Sequence, residues 1–295
     1  MNKKKWRKLV GLTLAAGILG AALAGCGASG SDNASSASGE GSGETVKLGV
    51  TGAVYEDIWQ PAIDKLADEG INVELVQFSD YTTPNNALAN GDIDLNAFQH
   101  EIFLNDEVEK NGYEIQPIGY TFIIPLNLYS DSITSLDELK DGDTIAIPND
   151  VTNGGRALKV LESAGLLTLD PAAGENPTVD DVTDKKVDFE IKELAANTIP
   201  STLPDVTAGI VNGNFALDYD LDPDKALFKD TGLDDENYWN LIAARTEDLQ
   251  DADKRATYKK IVQAFQSDET KAIFEDSYNG YFVPVGWDQD LLADK

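Results

Sequence analysis

Four acidic side chains fall within seven residues at Asp218-Tyr-Asp-Leu-Asp-Pro-Asp224. Alternating carboxylates of this kind suit a hard cation with oxygen ligands, but a helix–loop–helix calcium loop also needs Gly at its sixth position and Glu at its twelfth. Those positions are Pro223 and Lys229, so the segment reads as a solvated acidic loop. Asn153-Gly-Gly155 precedes a helical pattern. It can receive an anion on free N–H groups at the positive helix end, or it can simply cap the helix. Phe98, His100 and Phe103 gather three rings within six residues, just after an apolar stretch at Ile93. A β-to-α loop with such rings is a common ligand position, and the same spacing also describes core packing at a strand end. His100 could serve as a base, yet no Gly-x-Ser-x-Gly, Ser-x-x-Lys or thiol partner accompanies it. One His and one Cys provide neither a multi-histidine centre nor a thiolate cluster, so no metal or other cofactor is expected. The 52 Asp+Glu against 23 Lys+Arg, a net charge of −29, argue against nucleic acid as a partner.

The lone Cys has a different setting. Residues 1–8 carry five positive charges, residues 9–25 are apolar or small without a charge, and the run ends Leu23-Ala-Gly-Cys26. This is the layout of a secretory signal peptide, and its apolar part is short for a membrane span. The ending is similar to a bacterial lipobox, which implies a lipid on Cys26 and cleavage ahead of it. Loss of residues 1–25 removes five positive charges and leaves 18 Lys+Arg against 52 Asp+Glu. Residues 27–44 contain 14 Gly, Ser or Ala in 18, a composition that cannot bury an apolar face and predicts a flexible tether.

From residue 45 onward the apolar pattern switches between periods of two and 3.6. It predicts strands at 46–50, 71–75, 93–95, 143–147 and 187–191. Helices are expected at 59–67, 84–90, 101–110 and 155–164, several closed by Gly. Ser135-Leu-Asp-Glu138 has the form of a capping box and predicts a further helix start. Residues 122–129, 205–215 and 238–245 read as extended, and 252–277 as one long helix or a broken pair. The alternation defines an α/β protein. Two α/β lobes joined by extended crossings near 125 and 240 fit the pattern, and so does a single doubly wound sheet.

Five segments in order go further: Phe78-Ser-Asp-Tyr-Thr-Thr-Pro-Asn85, Asp94-Leu-Asn-Ala-Phe-Gln-His100, Ile147-Pro-Asn-Asp-Val-Thr-Asn-Gly-Gly-Arg-Ala-Leu158, Val211-Asn-Gly-Asn-Phe-Ala216 and Tyr238-Trp-Asn-Leu-Ile242. Together they closely resemble the NlpA/MetQ family of lipoproteins, the substrate-binding components of methionine ABC importers. The resemblance runs from about residue 45 to Trp287. It implies a periplasmic-binding-protein-like fold of two α/β lobes joined by two hinge strands, with the ligand between them. Lobe 1 would comprise residues 45–125 and 234–295, and lobe 2 residues 126–233. It also implies that Arg156 clamps a ligand carboxylate, that Asn214 (or its neighbour Asn212) and Asn240 hydrogen-bond the amino-acid head group, and that Tyr81, Phe98, His100 and Phe103 wall the side chain. The expected function is capture of L-methionine outside the cytoplasm, on a membrane-anchored protein, for delivery to an ABC permease and its ATPase, without catalysis. The alternatives are the same role for a methionine-containing dipeptide or another apolar amino acid, and an enzyme on this fold working through His100.

Overall fold

The structure, a computed structural model, describes residues 44–293. The leader, Cys26 and the tether up to residue 43 lie outside the described residues.

Val46, Leu48 and Val50 alternate into one core face, and this strand nucleates the first sheet. In chain order the elements are β1 (Glu44–Thr51), α1 (Val54–Asp68), β2 (Ile71–Phe78), α2 (Pro84–Asn90), β3 (Leu95–His100), α3 (Glu101–Asn111), β4 (Ile115–Tyr120), β5 (Phe122–Ile123) and β6 (Leu126–Tyr129). They continue with β7 (Thr144–Pro148), α4 (Val151–Ser163), β8 (Leu167–Leu169), β9 (Val182–Lys185), β10 (Glu190–Leu194), α5 (Ile199–Thr202), β11 (Ala208–Asn212) and α6 (Gly213–Asp218). The last are β12 (Asn240–Arg245), α7 (Ala252–Phe265), α8 (Asp268–Asp276) and β13 (Val283–Pro284).

Two principal sheets form. The first has the order β2-β1-β3-β12-β4, and the second β10-β7-β11-β6. β1 runs parallel to β2 and β3, while β12 is antiparallel to its neighbours β3 and β4. In the second sheet β7 is parallel to β10 and β11, and β6 is antiparallel to β11. Each sheet has its own core. Trp59, Phe122, Phe265 and Phe274 pack with α1, α7 and α8 against the first. Ile145 and Ile147 of β7 face Leu158 and Leu161 of α4, while the intervening Ala146 faces Ile199 and Leu203 on the other side. The chain passes from the first sheet to the second through residues 121–125, and returns through residues 219–239. β12, which follows that return, lies inside the first sheet. Among the described residues no helix is long and apolar enough to cross a membrane.

Several local expectations change in three dimensions. Ser135 starts only a 3-10 turn (Leu136–Glu138). The Glu138 carboxylate accepts from the Thr134 N–H and hydroxyl at 3.0 and 2.8 Å, and Leu139 turns extended to bury its side chain. α4 begins four residues earlier than its apolar periodicity indicates, because Asp150 caps it by accepting from the Asn153 N–H at 2.9 Å. The strand expected at 187–191 begins at Glu190, after a tight turn in which the Phe189 N–H bonds the Val187 carbonyl. Residues 205–215 are not extended throughout. Beyond Asn212 a Cβ at Gly213 would overlap the Ile124 side chain and Pro125 carbonyl, and the chain turns there into α6. The 252–277 segment is a broken pair. Gln266 leaves α7 to donate to the Tyr120 carbonyl at 2.9 Å, and Ser267 caps α8.

Candidate functional site

In sheets with parallel strands, loops at the carboxyl ends of those strands are the natural place for a ligand. Here both sheets deliver such ends to one cavity. All seven side chains expected at the site line it: Tyr81 after β2, Phe98 and His100 at the end of β3, Phe103 in α3, Arg156 in α4, Asn214 in α6 and Asn240 at the start of β12. Asn212, the alternative to Asn214, lines it too.

One end of the cavity is a ring cage. Tyr81 and Phe98 lie 6.0 Å apart, Tyr81 and Phe103 6.2 Å, and Phe98 and Phe103 6.0 Å edge-on. Phe215 backs Tyr81 at 4.9 Å. Underneath, Asn85, Asn96 and Gln99 form a buried amide network, with both Asn85–Gln99 bonds at 2.7 Å, that holds β3 against α2. The Tyr81 hydroxyl is engaged as well, donating to Asn214 Oδ1 at 2.5 Å. The cage therefore presents ring surface.

The other end is polar. Arg156 is buried, and its Nη2 donates to Asp230 at 2.7 Å and to the Ile124 carbonyl at 3.0 Å. Its guanidinium stacks on Tyr238 at 4.6 Å, and burial pushes the Tyr238 hydroxyl up to about 12 against the pull of Arg156. Nε and Nη1 have no hydrogen bond among the described residues. Asp230 also accepts from the N–H groups of Leu126 and Gly232, so the guanidinium is held on a rigid carboxylate.

The asparagines divide by what they already do. Asn214 donates to the Thr51 carbonyl at 2.9 Å while accepting from Tyr81. Asn212 donates to Asn153 Oδ1 at 2.9 Å, but its own Oδ1 is buried without a partner. Such an acceptor costs roughly 1–3 kcal/mol unless a donor arrives. Asn153 Oδ1 also receives His100 Nε2 at 3.2 Å. His100 Nδ1 accepts from the Phe103 N–H at 3.2 Å as the cap of α3, which places the ring proton on Nε2. Burial, aided by the Arg156 charge, lowers the His100 pKa to about 3, so the ring is neutral at ordinary pH.

Two open questions close here. The amides that begin α4 are capped by Asp150, and Gly154 and Gly155 serve packing: a Cβ at the first would sit 2.9 Å from the Pro148 carbonyl, and one at the second 3.0 Å from Asn176 Cα. The cationic group in the cavity is the Arg156 side chain. In the acidic segment, Asp218 reaches toward α1, Asp222 caps a short turn and Asp224 pairs with Lys229, so the carboxylates diverge. Among the described residues no group of three or more His, Cys, Asp or Glu could hold a metal. Sequence reasoning missed Asp230, Tyr238 and Asn153. Tyr238 and Asn153 stand inside recognised segments, whereas nothing local marks Asp230, which acts 74 residues from Arg156.

Two α/β sheets that bring their carboxyl strand ends to one shared, ring-walled cavity define the periplasmic-binding-protein class of fold. Within that class the chain belongs to the NlpA lipoprotein family, whose profile matches residues 46–286. It is 42% identical over 248 residues to the D-methionine-binding lipoprotein MetQ of Yersinia pestis, covering 82% of this chain and 88% of that one. The MetQ of Escherichia coli K12 is 40% identical over 247 residues, covering 82% and 88%. Among solved structures, a nutrient binding protein from Burkholderia cenocepacia bound to methionine superimposes with a TM-score of 0.75 at 37% identity, covering 81% of this chain and 99% of that one. The substrate binding protein of a methionine transporter from Streptococcus pneumoniae does so at 0.77 and 34%, covering 82% and 95%.

Proposed function

We propose that this chain is the substrate-binding lipoprotein of a methionine ABC importer. It captures L-methionine between residues 45–125 with 234–295 on one side and residues 126–233 on the other. It then delivers the amino acid to an ABC permease driven by its ATPase. The observation that carries this reading is the pairing, in one cavity, of a half-free guanidinium and an orphaned acceptor with a wall of rings. That set matches a zwitterion with an apolar side chain. The unpartnered N–H groups of Arg156 would give the carboxylate a charged hydrogen bond. Asn212 Oδ1 would accept from the ammonium, with the Asn240 amide beside it. The thioether would lie against Tyr81, Phe98 and Phe103, gaining about 0.3–1.5 kcal/mol per sulfur–ring contact.

The relatives' names support methionine as the ligand. A binding role, rather than catalysis, is supported by His100. Both ring nitrogens are engaged and its basicity is suppressed, so it offers no general base. Ligand contacts complete only when the two sides meet, so the work done is a population shift. Residues 1–25 would be removed and a lipid on Cys26 would hold the protein at the outer face of the cytoplasmic membrane or in the periplasm.

The test is isothermal titration of the purified protein, denatured and refolded to strip ligand, with L- and D-methionine. One-to-one binding of L-methionine is expected. A folded protein that gives no heat with either isomer, but binds a methionine dipeptide or another apolar amino acid, overturns the ligand.

A further inference from the structure

The N-terminus of α1 has no cap of its own. Its N-cap residue is Ala53, whose side chain cannot accept a hydrogen bond, and no side chain on the first sheet's side serves it. The acceptor comes from the other side of the cavity. Asp218, the last residue of α6, takes the Ala53 N–H on Oδ2 and the Val54 N–H on Oδ1, each at 3.0 Å. No cation pairs with this carboxylate among the described residues, so its charge is met by the positive end of α1.

The turn between β1 and α1 is shaped for this approach. Gly52 has φ +110, and a Cβ there would sit 2.6 Å from Asp218 Oδ2. One helical turn before Asp218, on the same face of α6, Asn214 donates to the Thr51 carbonyl and accepts from Tyr81. Thus the two polar side chains of α6 grip three sites on the first sheet's turn: Thr51, Ala53 and Val54. Tyr55, the next residue, lines the cavity.

We infer that α6 is a clasp in which Asp218, aided by Asn214, is a positioning residue for ligand capture: it touches no ligand, but holds the two sides of the cavity closed by capping α1 across the cleft. This rests on the reading of the cavity as one that opens and closes on a ligand. Opening would strip α1 of its only cap, so the fold favours closure before any ligand contributes. Because observed affinity scales with the closed fraction, weakening the clasp should weaken binding without altering a single ligand contact.

The experiment uses the full chain carrying Cys26→Ser, with spin labels at Lys65→Cys and Lys192→Cys, two exposed positions on opposite sides. Distance distributions are recorded without and with saturating L-methionine, and dissociation rates are measured on the unlabelled variants. In Asp218→Ala the ligand-free distribution should shift to longer distances. Dissociation should quicken roughly tenfold, and saturating ligand should restore the wild-type distance. Asp218→Asn, which keeps one acceptor, should fall between Ala and wild type. If Asp218→Ala does not fold, Gly52→Ala tests the same clasp by displacing the carboxylate, with the same shift expected. Unchanged distances together with an unchanged dissociation rate overturn the clasp. If wild type binds no methionine, the ligand reading fails separately, and the ligand-free distances alone support or overturn the clasp.

Discussion

Arg156 shows how one side chain can face two ways. Its Nη2 is committed to Asp230 inside the protein, and the side chain also lines the cavity. Arg156→Ala should cost at least about 2 kcal/mol of methionine affinity, read by titration, because the ligand carboxylate would be buried unpaired. It would also strand Asp230, so the melting temperature should fall. Arg156→Lys separates these effects: the charge stays beside Asp230 while the fork is lost, and affinity should still drop more than tenfold at near-native stability. Asn212→Ala should weaken binding with only a small fall in melting temperature, since its carbonyl is unpartnered before ligand arrives and Asn153 Oδ1 keeps the bond from His100 when the Asn212 amide is lost. His100 sets a pH dependence. Its folded pKa of about 3 lies below the usual 6.5, so the unfolded chain binds the extra proton between those values. Stability from this residue is complete above pH 6.5 and is lost as pH falls toward 3, by up to about 1.4 kcal/mol per pH unit. The difference in unfolding free energy between wild type and His100→Asn, followed across that window, should show this slope; a flat difference would refute the buried neutral imidazole.

Elements matter here for where they place the first turn of a helix. α3 and α4 each begin at the end of a strand and each use a side-chain cap, His100 and Asp150. The caps therefore aim Phe103 and Arg156 as well as stabilising the helices. Desolvation of the half-buried Asp150 raises its carboxyl pKa, while bonds from Asn153 and Thr152 oppose that rise. Asp150→Ala should cost about 1 kcal/mol of stability, typical of an N-cap, visible as a lower denaturation midpoint. It should also free Asn153, which positions His100 and Asn212, and so weaken methionine binding at fixed pH and salt. A loss of stability with affinity unchanged would mean that α4 is aimed by packing alone.

At the scale of the whole molecule, two separately cored sheets meet around the cavity, through the two connecting stretches, apolar contacts such as Leu217 on the first core, and polar contacts such as Asn197 to the Ser79 carbonyl at 2.9 Å. A ligand bridging them should stabilise the folded state by about 2.7 kcal/mol at one hundred times its dissociation constant, giving a melting temperature that rises with methionine concentration. The same addition should reduce the radius of gyration in solution scattering as open molecules close. Stabilisation without compaction would place the binding energy in a cavity that is already shut.

Much of this is legible in the sequence itself. The strand at Val46–Val50, the helix ends at Gly91 and Gly112, and the α/β alternation follow from local periodicity and caps, which act within a few residues. The seven expected cavity residues sit within or just after recognised segments, and the fold does bring all seven together. Other features depended on partners far along the chain. Local pattern could not reveal that Asp230 holds Arg156, that Asn214 Oδ1 is engaged while Asn212 Oδ1 is not, or that Asp218 belongs to the start of α1 rather than to an acidic loop. Each of these facts joins groups 59 to 165 residues apart. A hydrogen bond depends on distance and direction in space, and sequence spacing determines those only within one turn or one strand; beyond that, the packing of the two sheets decides.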